Sequence, residues 1–394
     1  MSAEREHDIV VFGATGFTGA LTAEYLAGQA REGTRVALAG RNLDKLGQVR
    51  ERLAALNSSW AQLPLEQADI GAPDSLARLA ASTRVLVSTV GPYTNYGEPV
   101  VAACAAAGTD YLDLTGEPEF VDRMWLRYDA QARQTGARLI HCCGFDSIPY
   151  DLGVLFTVDQ LPEGVPISIS GFVRVGGTFS GGTYQSAITA FSRLRQSARA
   201  ASERRRREQR PRERRVKGVV GRPRQDAFAG GWIVPMPTID PQVVLRSARA
   251  LERYGPDFSY SHYFVSKRLL TLAEIAAGGG AAIALAQLPP TRKALLRLKS
   301  SGQGPTPEQR ERAWFRVRFA GEGGGRSVRT QVSGGDPGYT ETAKMLGQSA
   351  LCLAHDELPE RSGQLTPAVA MGEPLIARLK DAGIEFRVLD GEAG

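Results

Sequence analysis

Three glycines in the stretch "VFGATGFTGA", Gly13, Gly16 and Gly19, stand between an apolar run and a helical pattern. At such a junction one glycine lets the chain turn sharply, one lets the backbone approach a pyrophosphate, and one lets helix and strand pack closely. The helix that follows points unpaired N–H groups and a partial positive charge at the anion. Thr15, Phe17 and Thr18 lie between the glycines and belong to the candidate cradle. The spacing is G-x-x-G-x-x-G rather than G-x-G-x-x-G, and alone it is a weak signal that a structural turn also explains. Its place at the first strand–helix junction of an alternating chain is what points to a dinucleotide.

The second strand selects between dinucleotides. An NAD site ordinarily has an acid near the strand's end, about 20 residues past the glycines, to bond the ribose 2′-hydroxyl. Here "ALAGRN" puts Arg41 at that place, with no acid before Asp44. A guanidinium suits a 2′-phosphate, so NADPH is favoured over NADH. Asp69, after the third strand, is placed to meet the adenine edge or to cap the following helix.

The nicotinamide half needs different groups. Gly91 and Pro92 end "RVLVSTVGPY" on the cofactor edge, so Ser88, Thr89, Val90 and Gly91 are expected along the phosphate–ribose arm. Tyr93 is expected to project toward the nicotinamide, or else to pack the strand end. Tyr111, Glu117, His141, Asp146, Ser147 and Tyr150 follow the fifth and sixth strands, and Tyr184 follows "SGG". Tyr93, Asp146 and Ser147 rank first as catalytic candidates. "GFDSIPYD" is also a helix start with Pro149 in its first turn, so capping is the alternative duty of Asp146 and Ser147. His141 reads as a core histidine or a proton donor, and Glu117 as a residue that caps or begins a helix. No spacing of His, Cys, Asp and Glu suggests a metal; Cys142 and Cys143 lack the further ligands zinc needs.

These residues are positioned by a regular alternation. Apolar runs at residues 8–13, 35–40, 84–91, 111–116 and 137–144, with a weaker one near 60–65, are separated by helical patterns at 17–30, 43–56, 73–81, 97–107 and 119–135. Short apolar strands alternating with helices indicate a parallel sheet covered on both faces. After Gly144 the period shortens toward two at 165–177, and strand-like segments follow at 257–265, 313–320 and 327–333, the last two joined by "GEGGGR". The expected fold class is α/β: an N-terminal Rossmann-type doubly wound parallel sheet plus a second α/β domain with a largely antiparallel sheet. The expected domains are 1–145, binding NADP(H); 146–350, for substrate or dimerisation; and 351–394, a helix–strand tail that packs back.

With 394 residues, 42% hydrophobic and 23% charged, the chain can bury sizeable cores. Its four cysteines show no CxxC pairing and read as reduced cytosolic thiols. No basic and apolar leader opens the sequence. The net charge of +6 is uneven: residues 193–217 hold eleven Arg and one Lys against three Glu, an excess of nine, which leaves the remainder at −3. That run is too charged to bury and reads as a solvated helix end or loop. It lacks interleaved aromatics, which argues against nucleic acid and leaves an acidic carrier domain or anionic lipid as the partner. The apolar segment 269–288 carries Glu274 and three consecutive glycines, and reads as a broken helical hairpin or, with Lys267, Arg268, Arg292 and Lys293, as a membrane-surface contact.

Taken together, "GATGFTG", "AGRN", "STVGPY", "YLDLTGE", "CGFDSIPYDLG", "GGTYQS", "GGDPGYTETAKM" and "LTPAVAMGEPLIARLKDAGIEF" resemble the saccharopine dehydrogenase-like oxidoreductases, and within them the trans-acting enoyl reductase group of actinobacteria. The resemblance spans almost the whole chain with the motifs in order. It implies NADPH-dependent reduction of an enoyl thioester, carrier- or CoA-linked, in polyketide-derived lipid synthesis, with a polyketide synthase lacking its own working enoyl reductase as partner. Location would be cytoplasmic or peripheral at the inner face of the plasma membrane, and a homodimer is open. A saccharopine dehydrogenase-like enzyme acting on another carbonyl or imine remains an alternative. It would need paired Arg or Lys for a diacid, and "TVGPY", "LTGE", "CCGFDSIPY" and "GGTYQS" offer none. A non-catalytic NADP(H) sensor or scaffold and a lipid-surface protein are the alternatives from other classes.

Overall fold

A computed structural model describes residues 5–176, 188–209, 211, 213–298 and 305–389. "GGTYQS" and Tyr184 lie outside the described residues. Seven strands make one sheet: β1 (His7–Phe12), β2 (Val36–Gly40), β3 (Leu65–Gln67), β4 (Thr83–Ser88), β5 (Asp110–Asp113), β6 (Arg138–Ile140) and a late strand, Gly363–Leu365. All pair in parallel, with β1 between β2 and β4 at the centre and the late strand at the edge beside β6. Ile9, Val10, Val11, Leu38, Leu86 and Val87 are fully buried there, which is why these strands read as unbroken apolar runs rather than alternating ones.

The third strand lies later than its apolar signal. Residues 58–62 form a 3-10 turn in which Trp60 is buried, and β3 itself is short and half-exposed at the sheet edge. Trp60 is apolar because it packs under the sheet, not because it is in it.

The second sheet holds β7 (Ile167–Gly176), β8 (Arg215–Gly218), β9 (Arg224–Asp226), β10 (Gly231–Pro235), β11 (Asp257–Ser266), β12 (Trp314–Gly323) and β13 (Arg326–Gly334). With the late first-sheet strand numbered β14, the last strand is β15 (Glu385–Val388), and it adds to β13. The sheet is mostly antiparallel, with β11 parallel to β7 and to β8. The helix Ile148–Val158 packs on its inner face; a Cβ at Gly153 would lie 2.4 Å from the Phe319 ring. The tail thus supplies one strand to each sheet.

Two segments depart from the sequence reading. The glycines 278–280 do not break the apolar segment: one helix runs Leu269–Ala286, and the turn comes at Gln287–Leu288 before a second helix, Pro289–Leu298. Flanking Ala and Leu, which favour helix, carry it through the glycines. Nor is the basic run wholly solvated. Its first part forms the helix Leu194–Arg207, in which Arg204 is buried against Asp122, Glu208 and the Trp125 ring, and Arg210 and Arg212 lie outside the described residues. Arg193 grips Glu119 with two bonds of 2.6 Å, and Arg214 donates to the carbonyls of Ala248, Leu251 and Gly255. Part of the charge is therefore structural. Among the described residues no helix is long and apolar enough to cross a membrane.

Candidate functional site

The glycine turn meets the geometry its sequence suggests. Gly13 has a φ of +88°, and a Cβ there would lie 2.7 Å from Val90 Cγ2 and 2.8 Å from Thr89 Oγ1. A Cβ on Gly19 would lie 2.3 Å from the carbonyl oxygen of Gly13. Thr89 Oγ1 donates to the carbonyls of Phe12 and Gly13, so β4 latches the turn. The helix Phe17–Gln29 opens with Gly16 at its N-cap, no side-chain cap and no acid in its first turn. Thr15 and Gly16 are exposed, and Phe17 and Thr18 are half-buried. An anion can thus reach first-turn N–H groups that, among the described residues, no side chain caps.

Arg41 follows β2 with its side chain 76% exposed, 4.0 Å from Asp69. Asp69 Oδ1 accepts from Gly71 N, so it shapes the loop before the helix Pro73–Ser82 rather than capping it. The exposed guanidinium beside the strand end and the open helix start fit a phosphorylated dinucleotide.

The other half of the cleft is rich in acids. Tyr93 is buried; its hydroxyl donates to Ser88 O and accepts from Leu114 N, which leaves it tying β4 to the chain after β5. Glu117 accepts from the backbone N–H groups of Tyr93 and Thr94 and from the Thr94 hydroxyl. It caps the short helix Tyr93–Tyr96 while standing at the N-cap position of the helix Pro118–Thr135. His141 Nδ1 lies 2.6 Å from Asp113 Oδ2, and His141 Nε2 is buried with no hydrogen-bond partner among the described residues. Asp113 Oδ1 also accepts from Thr115 N and Cys142 N.

Asp146 sits in the loop after β6, partly exposed, its carboxyl packed against Gly116. Burial, with Asp113 and Glu117 nearby, pushes that carboxyl up to about 7. Neither Asp146 nor Ser147 caps the following helix. Ser147 holds the N-cap position without a side-chain cap, and its hydroxyl instead donates to Asp240 Oδ1 at 3.3 Å. Burial pushes the Asp240 carboxyl well above the carboxylate range and holds His262, 3.6 Å away, down at about 3. His262 is thereby kept neutral at neutral pH.

Two late motifs hold this cleft. Asp336 accepts from Gly338 N and Thr340 N at the start of the helix Thr340–His355. The Tyr339 ring packs on Phe17 at 4.7 Å, and Thr342 Oγ1 accepts from Phe145 N, so one loop braces both the glycine turn and the loop of Asp146. Asp151 accepts from Ser247 Oγ and Ala368 N, seating "LTPAVAM" on the helix Ile148–Val158; burial raises it to about 6.

The structure therefore gathers Gly13–Gly19, Thr89, Val90 and Gly91 on one edge, and Asp146 with Ser147 at its far end. Asp113, Asp240 and His262 went unread in the sequence. Asp113 had a signal, an acid inside the apolar run "YLDL"; Asp240 and His262 had none, because they reach Ser147 and Tyr150 across about a hundred residues of chain. Glu6, His7 and Glu66 form a cluster of metal-ligand type among the described residues, but it includes the first residue of β1, at the opposite end of that strand from the glycine turn.

Residues 9–140 match the family model for the saccharopine dehydrogenase NADP binding domain. Over 422 residues the chain is 38% identical to a trans-acting enoyl reductase of Mycobacterium ulcerans, covering 97% of this chain and 98% of that one. It is 37% identical over 418 residues to a trans-acting enoyl reductase of Mycobacterium tuberculosis, covering 97% of each. Among solved structures, apo saccharopine dehydrogenase (L-Glu forming) from Saccharomyces cerevisiae superposes with a TM-score of 0.59 at 12% identity, over 97% of this chain and 100% of that one, and so shares the fold.

Proposed function

Because the chain belongs to the saccharopine dehydrogenase-like oxidoreductases, in the family of the trans-acting enoyl reductases, we propose that it reduces the carbon–carbon double bond of an enoyl thioester carried by a polyketide synthase. The chain is an NADP-dependent oxidoreductase. The observation that carries the substrate class is the ring of four carboxyl groups, Asp113, Glu117, Asp146 and Asp240, around the far end of the cofactor edge. Within it burial, with Asp113 and Glu117, holds the proton on Asp146, a surrounding that disfavours the diacid substrates of amino-acid dehydrogenases and accepts a neutral acyl thioester.

Gly13, Gly16 and Gly19 with the first helix turn would hold the pyrophosphate, and Arg41 the 2′-phosphate. A nicotinamide held there would supply the hydride that the β-carbon takes up. The electron pair of the double bond moves toward the thioester oxygen, and the α-carbon needs a proton. Asp146, protonated up to about neutral pH, donates it and recovers one from solvent through its exposed side. Ser147 and Tyr93 act as positioning residues: the first anchors the Asp146 loop to Asp240, the second fixes the end of β4.

The test is NADPH consumption with crotonyl-pantetheine and with longer enoyl thioesters. Turnover that falls sharply in Asp146→Asn supports the reading. NADPH binding with no turnover on any chain length overturns it in favour of a sensor or scaffold.

A peripheral lipid contact is a second reading, favoured by exposed Leu269, Leu270, Leu285 and Leu288 beside exposed Lys267, Arg268 and Lys293. Co-flotation with anionic vesicles supports it, and a protein left wholly at the bottom of the gradient removes it.

A further inference from the structure

The second sheet turns one face to the helix Ile148–Val158 and carries arginines on the other. Arg174 of β7 and Arg316 of β12 are direct partners in the register. Their guanidinium groups lie 5.6 and 5.8 Å from the centroid of the same Trp314 ring. Like charges set opposite one another across two strands work against the sheet. Among the described residues neither arginine makes an ion pair, and Arg316 Nε is buried without a hydrogen-bond partner. Beside them lies a cavity of about 110 Å³ lined by Phe172, Arg174, Val265, Arg316 and Arg318, among others. Arg329 extends the positive face over Phe228, while Arg224, over Tyr263, is paired with Asp226. An anion between Arg174 and Arg316 would relieve what the fold leaves unbalanced.

We propose that this face is the docking surface for an acidic protein that carries the acyl substrate on a flexible arm, one of its carboxylates seating between Arg174 and Arg316. The inference rests on the reading of the chain as a reductase of carrier-borne thioesters. Location supports it. Phe315, between Trp314 and Arg316 in sequence, reaches through the sheet to Phe145 at 5.1 Å, and Phe145 precedes Asp146. The docking face and the loop of Asp146 thus meet the same end of β12 from opposite faces of the sheet. Charge selects the occupant: a second copy about a two-fold axis would set the same arginines near one another, and a flat bilayer does not enter a recess between side chains.

The experiment compares crotonyl thioester on an acidic phosphopantetheine-bearing carrier protein with free crotonyl-pantetheine, in the wild type and in the double variant Arg174→Gln, Arg316→Gln. The expected result is a KM for the carrier-borne substrate raised about tenfold or more. Activity on the free thioester and NADPH affinity stay unchanged, and the melting temperature is equal or higher. An unchanged KM on the carrier overturns the proposal, as does an equal loss on both substrates. A changed oligomeric state, or lost binding to anionic vesicles, with the carrier KM intact gives the face to a second copy or to lipid. If the wild type turns over neither substrate, it is the reductase reading that fails. Carrier binding is then titrated directly at low and high salt: salt-sensitive binding lost in the double variant sustains docking, and none in the wild type overturns it.

Discussion

Asp113 Oδ2 lies 2.6 Å from His141 Nδ1, at the ends of two neighbouring strands and beneath the loop that carries Asp146. The pair leaves a negative carboxyl where it helps to keep the Asp146 proton on, second only to burial itself. Asp113→Asn keeps an oxygen for Thr115 N and Cys142 N but removes the charge. With that charge gone, Asp146 titrates lower. A donor works only while protonated, so wild-type turnover should fall as pH rises through about 7. In Asp113→Asn that midpoint should move down by about one unit, read from the pH profile of kcat. An unmoved profile separates Asp113 from the proton donor.

Arg41 and Gly19 make separable demands on the cofactor. Arg41→Ala should weaken NADPH about 10- to 100-fold, the worth of a charge-assisted hydrogen bond or two, and leave NADH unchanged. Gly19→Ala forces a Cβ against the Gly13 carbonyl, backbone against backbone. It should weaken both nucleotides and cost about 1–3 kcal/mol of stability. Nicotinamide fluorescence titrations with thermal melts distinguish the two patterns.

The parallel sheet and the glycine turn were legible because both are written locally. Apolar runs mark strands buried on two faces, and glycine is the residue that Gly13 and Gly19 need, with φ positive at one and no room for a Cβ at either. The cleft was less legible because its duties are assigned by packing. Tyr93 stands at the end of a strand on the cofactor edge, yet its hydroxyl is spent on Ser88 and Leu114. Ser147 has the sequence of a helix cap but bonds Asp240, 93 residues away. The short strands β8, β9 and β10 gave no run long enough to show a period. In the basic segment, the burial of Arg204 depends on Asp122, 82 residues earlier, which no charge count reveals.

That burial predicts unequal costs within one run of arginines. Asp122 faces both Arg204 and Arg246, and all three are largely shut from water. Asp122→Ala leaves two buried cations facing each other; burial and Arg246 already hold Arg204 down at about 10. Denaturant unfolding should show a loss of about 3–5 kcal/mol. Arg205→Ala and Arg206→Ala, on exposed positions of the same helix, should each change stability by less than about 0.5 kcal/mol. Equal costs at all three positions would mean that the basic run is surface throughout.

Asp146 also predicts a trade between stability and activity. Its carboxyl ionises at about 7 when folded and near 3.8 when free. Below the lower value both states hold the proton, so Asp and Asn should be equally stable there. As pH rises from about 4 to 7 the unfolded chain releases the proton first, and folding stability falls. Above pH 7 the penalty is constant. At pH 8 Asp146→Asn should therefore be more stable than the wild type by about 1–3 kcal/mol, the full linkage reduced by the partial exposure of the group. Turnover should drop about 100-fold or more, with NADPH affinity retained. An Asp146 with no part in proton transfer would show the same gain in stability at pH 8 but keep its kcat. Thermal melts at pH 3.5 and 8 with single-turnover rates at pH 6.5 decide between them, because a carboxyl held protonated against its own solvation is costly to keep unless its proton is used.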